Sequence, residues 1–172
     1  NYLLFMLGAV LTLGSIFFLP YGGASSCLYP LPVKSNGMWG VNAAAGYMLG
    51  LIAIGVGFLL FYLDATLAIL RVYGNLGRAL GLQWLFSGDI DKSHPPTVVA
   101  STMVIIVNSL GTLCGAVVLV LCLVNAYVPE FQLNVLLTKN MIYFFGHVFI
   151  NASIFIGVTA GSYLLPPYIV PP

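Results

Sequence analysis

Apolar and polar positions fall in blocks along this chain rather than alternating. Charged side chains are confined to the connections, which leaves four stretches free of Asp, Glu, Lys and Arg: roughly residues 2–19, 38–63, 97–128 and 141–165. A helix needs about 20 apolar residues to cross a hydrocarbon core of about 30 Å, so each stretch predicts a transmembrane helix. The last two exceed that minimum and have room for tilt or an interfacial turn. Barrel strands would show polar–apolar alternation over about ten residues, and these blocks do not. The expected fold is therefore all-α, an integral membrane domain of four transmembrane helices over residues 1–172.

Pro and Gly punctuate the blocks, because neither continues a helix cheaply. Pro20-Tyr21-Gly22-Gly23 through Pro30, Pro32 and Gly37 reads as a turn-rich connection between the first and second helices. The densest charge lies from Arg71 to Pro96, with Arg78, Asp89, Asp91 and Lys92. A short link, Pro129 to Lys139, joins the third and fourth helices and carries Glu130. The positive-inside rule places the loop over 64–96, with three basic residues, in the cytoplasm, and the loops over 20–37 and 129–139 outside. The fourth helix then enters from the outside near Asn140. The chain starts on Asn1, without Met, and stops after Pro171-Pro172. It reads as an excerpt, with further helices expected on both sides.

Composition agrees with the pattern: 60% of residues are hydrophobic and 5% charged. At a net charge of +1 with scattered basic residues, nothing points to nucleic acid. Membrane lipid is the expected surroundings. Cys114 and Cys122, eight apart on roughly one face, read as packing thiols. Cys27 stands alone in a loop, so no disulfide is argued. Gly46, Gly50, Gly55 and Gly57 on the second helix, with Gly111 and Gly115 on the third, supply small residues for close helix approach. Asn108 and Thr112 form a small polar face, read as interhelical hydrogen bonding.

One residue in the fourth block does not fit a purely apolar span. His147 lies in a run of more than thirty residues with no charged side chain. An unpaired buried polar group costs several kcal/mol as a rough guide, so the imidazole needs a partner. Tyr143, His147 and Asn151 are spaced four apart and share one helical face. At membrane depth that face must meet protein, water or metal rather than lipid. His147 is about seven residues in from Asn140, about 10 Å below the outer surface. Two readings stay open: a histidine bonded to a neighbouring helix, or one arm of a multi-histidine metal site that other helices complete. Asn151-Ala152-Ser153 matches a glycosylation sequon but cannot be an acceptor at this depth. His94, beside Pro95, is expected near the opposite surface and solvated, too far from His147 to share a haem or metal with it. Asp64 reads as an interfacial charge at a helix end.

Phe145-Gly146-His147, preceded by Tyr143 and Phe144 and followed by Leu164-Leu165-Pro166, resembles the sixth helix of the catalytic subunit of the haem-copper oxidase superfamily. The likeness is greatest to the B-type branch. Tyr29-Pro30-Leu31-Pro32 likewise resembles the Tyr-Pro-Pro segment before that branch's fourth helix. The resemblance implies that this chain covers about helices three to six of a subunit with twelve or more. It implies that His147 ligates copper, or non-haem iron, beside a haem bound mainly by helices outside the chain. It also implies, as partners, the remaining helices of the subunit, small respiratory subunits, and cytochrome c or quinol as electron donor, in a prokaryotic cytoplasmic membrane.

The departures from the family pattern bear on the reaction. The family's Pro after the histidine is Val148, and its tyrosine four residues on is Asn151. In oxygen reductases that tyrosine donates a proton and an electron when the O–O bond breaks, which an amide cannot do. Two further B-type tyrosine positions fall on Val158 and Ser162. Nitric oxide reductases of the superfamily lack the tyrosine, although the usual bacterial ones carry Glu where Asn151 stands. The resemblance is thus to a divergent NO-reducing branch: an oxidoreductase forming N₂O, with Asn151 hydrogen-bonding substrate or water and Tyr143 lining the pocket or orienting His147. A tyrosine-less O₂ reductase is the alternative within the class. From another class comes a non-catalytic four-helix subunit in which His147 is a satisfied structural group. A transporter is less attractive, because no acidic residue sits mid-membrane.

Overall fold

The computed structural model describes residues 2–23, 35, 37–87, 94–128 and 130–164. Among them the architecture is all-helical, with no strand: α1 (Tyr2–Phe18), α2 (Val41–Tyr73), α3 (Leu76–Ala79), α4 (Leu82–Ser87), α5 (Pro96–Tyr127) and α6 (Val135–Leu164). Three helices are long and apolar enough to cross a membrane: α2, α5 and α6. The first expected span is α1, whose 17 described residues fall short of that length. Cys27, the Tyr29 to Pro32 segment, Lys92 and the residues after Leu164 lie outside the described residues.

Two boundaries differ from the charge-based expectation. The second helix does not stop at Leu63 but runs through Asp64 and Arg71 to Tyr73. The run from Ala65 to Leu70 is rich in good helix formers, and a single charge does not end a helix. At about 1.5 Å per residue the 33 residues of α2 extend about 50 Å. The charge-free run therefore marks the apolar part of a longer rod. Its end is set by backbone geometry: Gly74, at φ +77°, adopts the left-handed conformation that closes a helix and donates its N–H to Leu70 O at 2.9 Å. The fourth expected helix begins at Val135 rather than Met141. Asn134 explains this, because its Oδ1 accepts from Leu137 N at 3.0 Å, satisfying one of the helix's orphan donors. The third helix, expected over 97–128, is α5 at Pro96–Tyr127.

The described residues form two compact units, 1–61 with 111–146, and 62–110 with 147–172; α2, α5 and α6 each contribute to both. In the first unit, α1 meets the opening turns of α2 through small residues. A Cβ added to Gly8 would lie 2.6 Å from Gly50 O, and one added to Gly46 would lie 2.5 Å from Ser15 Oγ. The close approach expected of Gly46 and Gly50 is thus present, while Gly55 faces open space. The polar groups of α1 cost the interface little, because Thr12 and Ser15 donate to the carbonyls of Gly8 and Leu11 at 2.7 and 2.8 Å. Beyond α1, Tyr21 stacks on Tyr47 at 4.5 Å and meets Trp39 edge-on at 5.3 Å, over Ala43 and Ala44. A second core joins Met48 of α2 to Val118 and Cys122 of α5, with Leu133, Met141 and Ile142 packed around it. Cys122 is the buried packing thiol expected of it, and it forms no disulfide with Cys114. Gly115 accommodates the ring of Phe145, and Asn125 Nδ2 donates to Phe131 O across the turn into α6.

In the second unit the α2 terminus turns back on itself. Asn75 Oδ1 accepts from Arg78 N at 2.7 Å and starts α3, and Gly81, at φ +71°, lets Trp84 fold over it. His94 is half-buried and held by contacts, where its position beside Pro95 suggested a simply solvated ring. Its ring sits edge-on to Tyr73 at 5.1 Å and to Trp84 at 4.8 Å, and Nε2 lies 2.9 Å from Ala79 O. A carbonyl only accepts, so Nε2 is the donor in this contact. The aromatics that hold His94 come from 10 and 21 residues upstream, too distant in sequence for local charge density to reveal.

Candidate functional site

The site is built where α6 meets α5 in the second unit. Tyr143, His147 and Asn151 fall within the unbroken helix α6, so their spacing of four places them along one face. Opposite His147 and Asn151, α5 presents Met103, Val104 and Val107. With Phe155 at its far end, this forms a cavity of about 460 Å³. The α5 contributors follow the three- and four-residue spacing of a helix face, as do His147, Asn151 and Phe155 on α6. The cavity is thus a groove between two helices. Its wall is apolar except for one imidazole and one carboxamide, both exposed within this chain.

His147 and Asn151 are therefore brought together, as the sequence spacing required. Tyr143 is not among the cavity's lining residues. Its ring, 48% exposed, lies beneath the Lys139 ammonium, with 5.8 Å from Nζ to the ring centroid. Both Tyr143 and His147 also have interaction partners within the protein. The three apolar α5 residues were not identified from sequence, because nothing local marks which face of one apolar helix another will meet.

The chemistry available follows from the two polar groups. Neutral imidazole is a donor type that both copper and iron accept, and a carboxamide offers one acceptor oxygen and two N–H donors. Such metals take three or four protein donors. Among the described residues no group of three His, Cys, Asp or Glu side chains converges, so His147 fits a metal as one arm of a site whose other donors lie elsewhere.

The second polar face, Asn108 and Thr112, is buried, with each residue 2% exposed. The interhelical bonds expected there are not made by Asn108 Oδ1 or Thr112 Oγ1, which have no hydrogen-bond partner among the described residues. Neighbouring hydroxyls turn inward on their own helix instead: Thr102 and Ser109 donate to Val98 O and Ile105 O.

No protein family, curated protein or solved structure matches the chain. The likeness to haem-copper oxidases accordingly rests on the residues quoted for it.

Proposed function

We propose that this chain is part of the catalytic subunit of a membrane haem-copper-type reductase that converts NO to N₂O, with His147 as one ligand of copper or non-haem iron beside a haem. The observation that carries the reading is the pairing of His147 and Asn151 on one cavity wall that is otherwise apolar. An uncharged diatomic substrate partitions into such surroundings without the desolvation cost of a charged one. The metal and haem, when bound, supply the electrons for joining two NO molecules. His147 holds its ring in a helix wall, and Asn151, one turn further, presents hydrogen-bond donors and an acceptor to what shares the cavity. Asn151 also supports NO over O₂, because its amide has neither the acidity nor the redox chemistry of the tyrosine it replaces.

In this reading α1 also crosses the membrane, ahead of α2, α5 and α6, the 64–96 connection faces the cytoplasm, and the 129–139 link faces outward. The haem and the remaining ligands come from helices beyond this chain, and electrons come from cytochrome c or quinol. The test is metal analysis and a haem spectrum of the intact subunit, followed by turnover with NO and with O₂. The expected result is high-spin haem, a metal that His147→Ala removes, and N₂O with little O₂ consumption. Water formation from O₂ would transfer the site to an oxygen reductase. Absence of high-spin haem, or a metal retained by His147→Ala, would leave His147 a packing residue and overturn the proposal.

A further inference from the structure

Asn108 and Thr112 stand one turn apart on α5, a helix long and apolar enough to cross a membrane. At about 1.5 Å per residue, Asn108 lies about 18 Å from Pro96 and Thr112 about 22 Å from Tyr127, which puts the pair near the middle of the span. Each residue is 2% exposed, and neither Asn108 Oδ1 nor Thr112 Oγ1 has a hydrogen-bond partner among the described residues. Their neighbours behave differently. Thr102 and Ser109 donate to the carbonyls four residues back at 2.7 and 2.6 Å, which satisfies a hydroxyl without leaving the helix. Thr112 does not make that bond. The carboxamide oxygen of Asn108 has no equivalent of it, because it only accepts.

The polarity of this face is not confined to the pair. Thr97 and Ser101 fall on the same side of α5 by helical spacing, and they line a groove of about 290 Å³ against α2. Buried oxygens at mid-span need a partner, since hydrocarbon supplies none. Coverage limits what that partner is. With both residues 2% exposed, a helix from outside the chain finds no surface there to meet. A hard cation does not fit either, because it takes about six or more oxygen ligands and α5 contains no carboxylate. The occupant must donate hydrogen bonds and be small enough to lie inside.

We propose that Asn108 and Thr112 hold one internal water between them. The water donates one hydrogen to Asn108 Oδ1, and its other hydrogen or its oxygen pairs with the Thr112 hydroxyl. The terminal torsion of a carboxamide is broad, so a small turn of the Asn108 side chain opens room for it. This site does not depend on a metal at His147.

The full chain, isotope-labelled at Asn, Thr and Val, is reconstituted in lipid bilayers, and magnetisation transfer from water to protein is followed by solid-state NMR. The Asn108 signal is assigned by its loss in Asn108→Leu. Transfer to the Asn108 carboxamide is expected to be severalfold faster than to the methyls of Val104, one turn away and 7% exposed. Thr112→Val keeps the side-chain shape and removes the hydroxyl, which leaves the water short of the partners it requires. Transfer to Asn108 then falls to the Val104 rate, and Thr112→Ser restores it. Circular dichroism checks that each variant keeps its helices. Equal rates at Asn108 and Val104 in the parent chain overturn the proposal, and so does a fast rate at Asn108 that Thr112→Val leaves unchanged.

Discussion

Replacing Gly115 by alanine isolates the packing of α6 against α5 within the first unit. The new Cβ would lie 2.7 Å from Phe145 Cγ and 3.0 Å from both Cδ atoms. Ordinary contact begins near 3.4 Å, so about 0.7 Å must be found. The atom struck is Cγ, at the root of the side chain, which a ring flip does not move. Relief therefore requires a new rotamer or a shift of α6 away from α5. Overpacking of this kind costs about 1–3 kcal/mol, while alanine recovers up to about 1 kcal/mol of helix propensity. Gly146→Ala removes the propensity term by comparison: it lies on α6 itself and its added Cβ meets nothing within 4 Å. The difference between the two variants is then the steric term alone, about 1–3 kcal/mol, or about a fivefold to hundredfold change in the unfolding equilibrium. Equilibrium unfolding in mixed detergent micelles, followed by circular dichroism, measures it. Equal midpoints for the two variants, or a Gly115→Ala chain more stable than the parent, would refute the packing described between Gly115 and Phe145.

Gly8→Ala is expected to weaken the α1–α2 pairing by a similar steric cost, because the clash is with the backbone oxygen of Gly50, which cannot rotate away; Gly14→Ala, in open space, is expected to be neutral or mildly stabilising. Comparison of their unfolding midpoints decides it. His94→Ala removes both ring contacts and the bond to Ala79 O, and is expected to open α3 and α4 locally by about 1–3 kcal/mol without unfolding the long helices. Hydrogen exchange at residues 76–84 reads this out, and unchanged protection there would count against the clasp.

How much the sequence revealed depended on what sets each feature. The bounds of α5 were legible because Pro95-Pro96 and Val128-Pro129 fall where the apolar run stops, so polarity and backbone chemistry agree. At α2 they diverge. Asp64 marks where the solvent changes, whereas Gly74 marks where the helix ends, and reading one as the other shortened the helix by ten residues. At α6 the cap on Asn134 lies upstream of Lys139, so a criterion based on charge began the helix a turn and a half late. Within the site, His147 and Asn151 were legible because helical spacing alone aligns them. Met103, Val104 and Val107 were not, since every face of α5 looks alike until its neighbour is placed.

The distribution of burial gives the site its sharpest physical constraint. Within the apolar windows of the three long helices, 33% of α2 and 39% of α5 is buried inside the chain, but only 6% of α6. The least covered helix is the one that carries an imidazole, a carboxamide and a phenol along one face. α1 is also widely exposed, but its outward side chains include Leu3, Val10 and Phe17, which suit lipid. Asn151 does not, because a carboxamide facing hydrocarbon loses hydrogen bonds that lipid cannot replace. Helix α6 can therefore be stable at membrane depth only where more protein, water or a bound group meets that face. In the proposed reading the metal at His147 would add the same requirement, because its other donors would come from outside the described residues. Low burial thus marks one side of this helix as uncovered, and an adjoining helix there would both cover Asn151 and, in the proposed reading, supply the remaining metal donors.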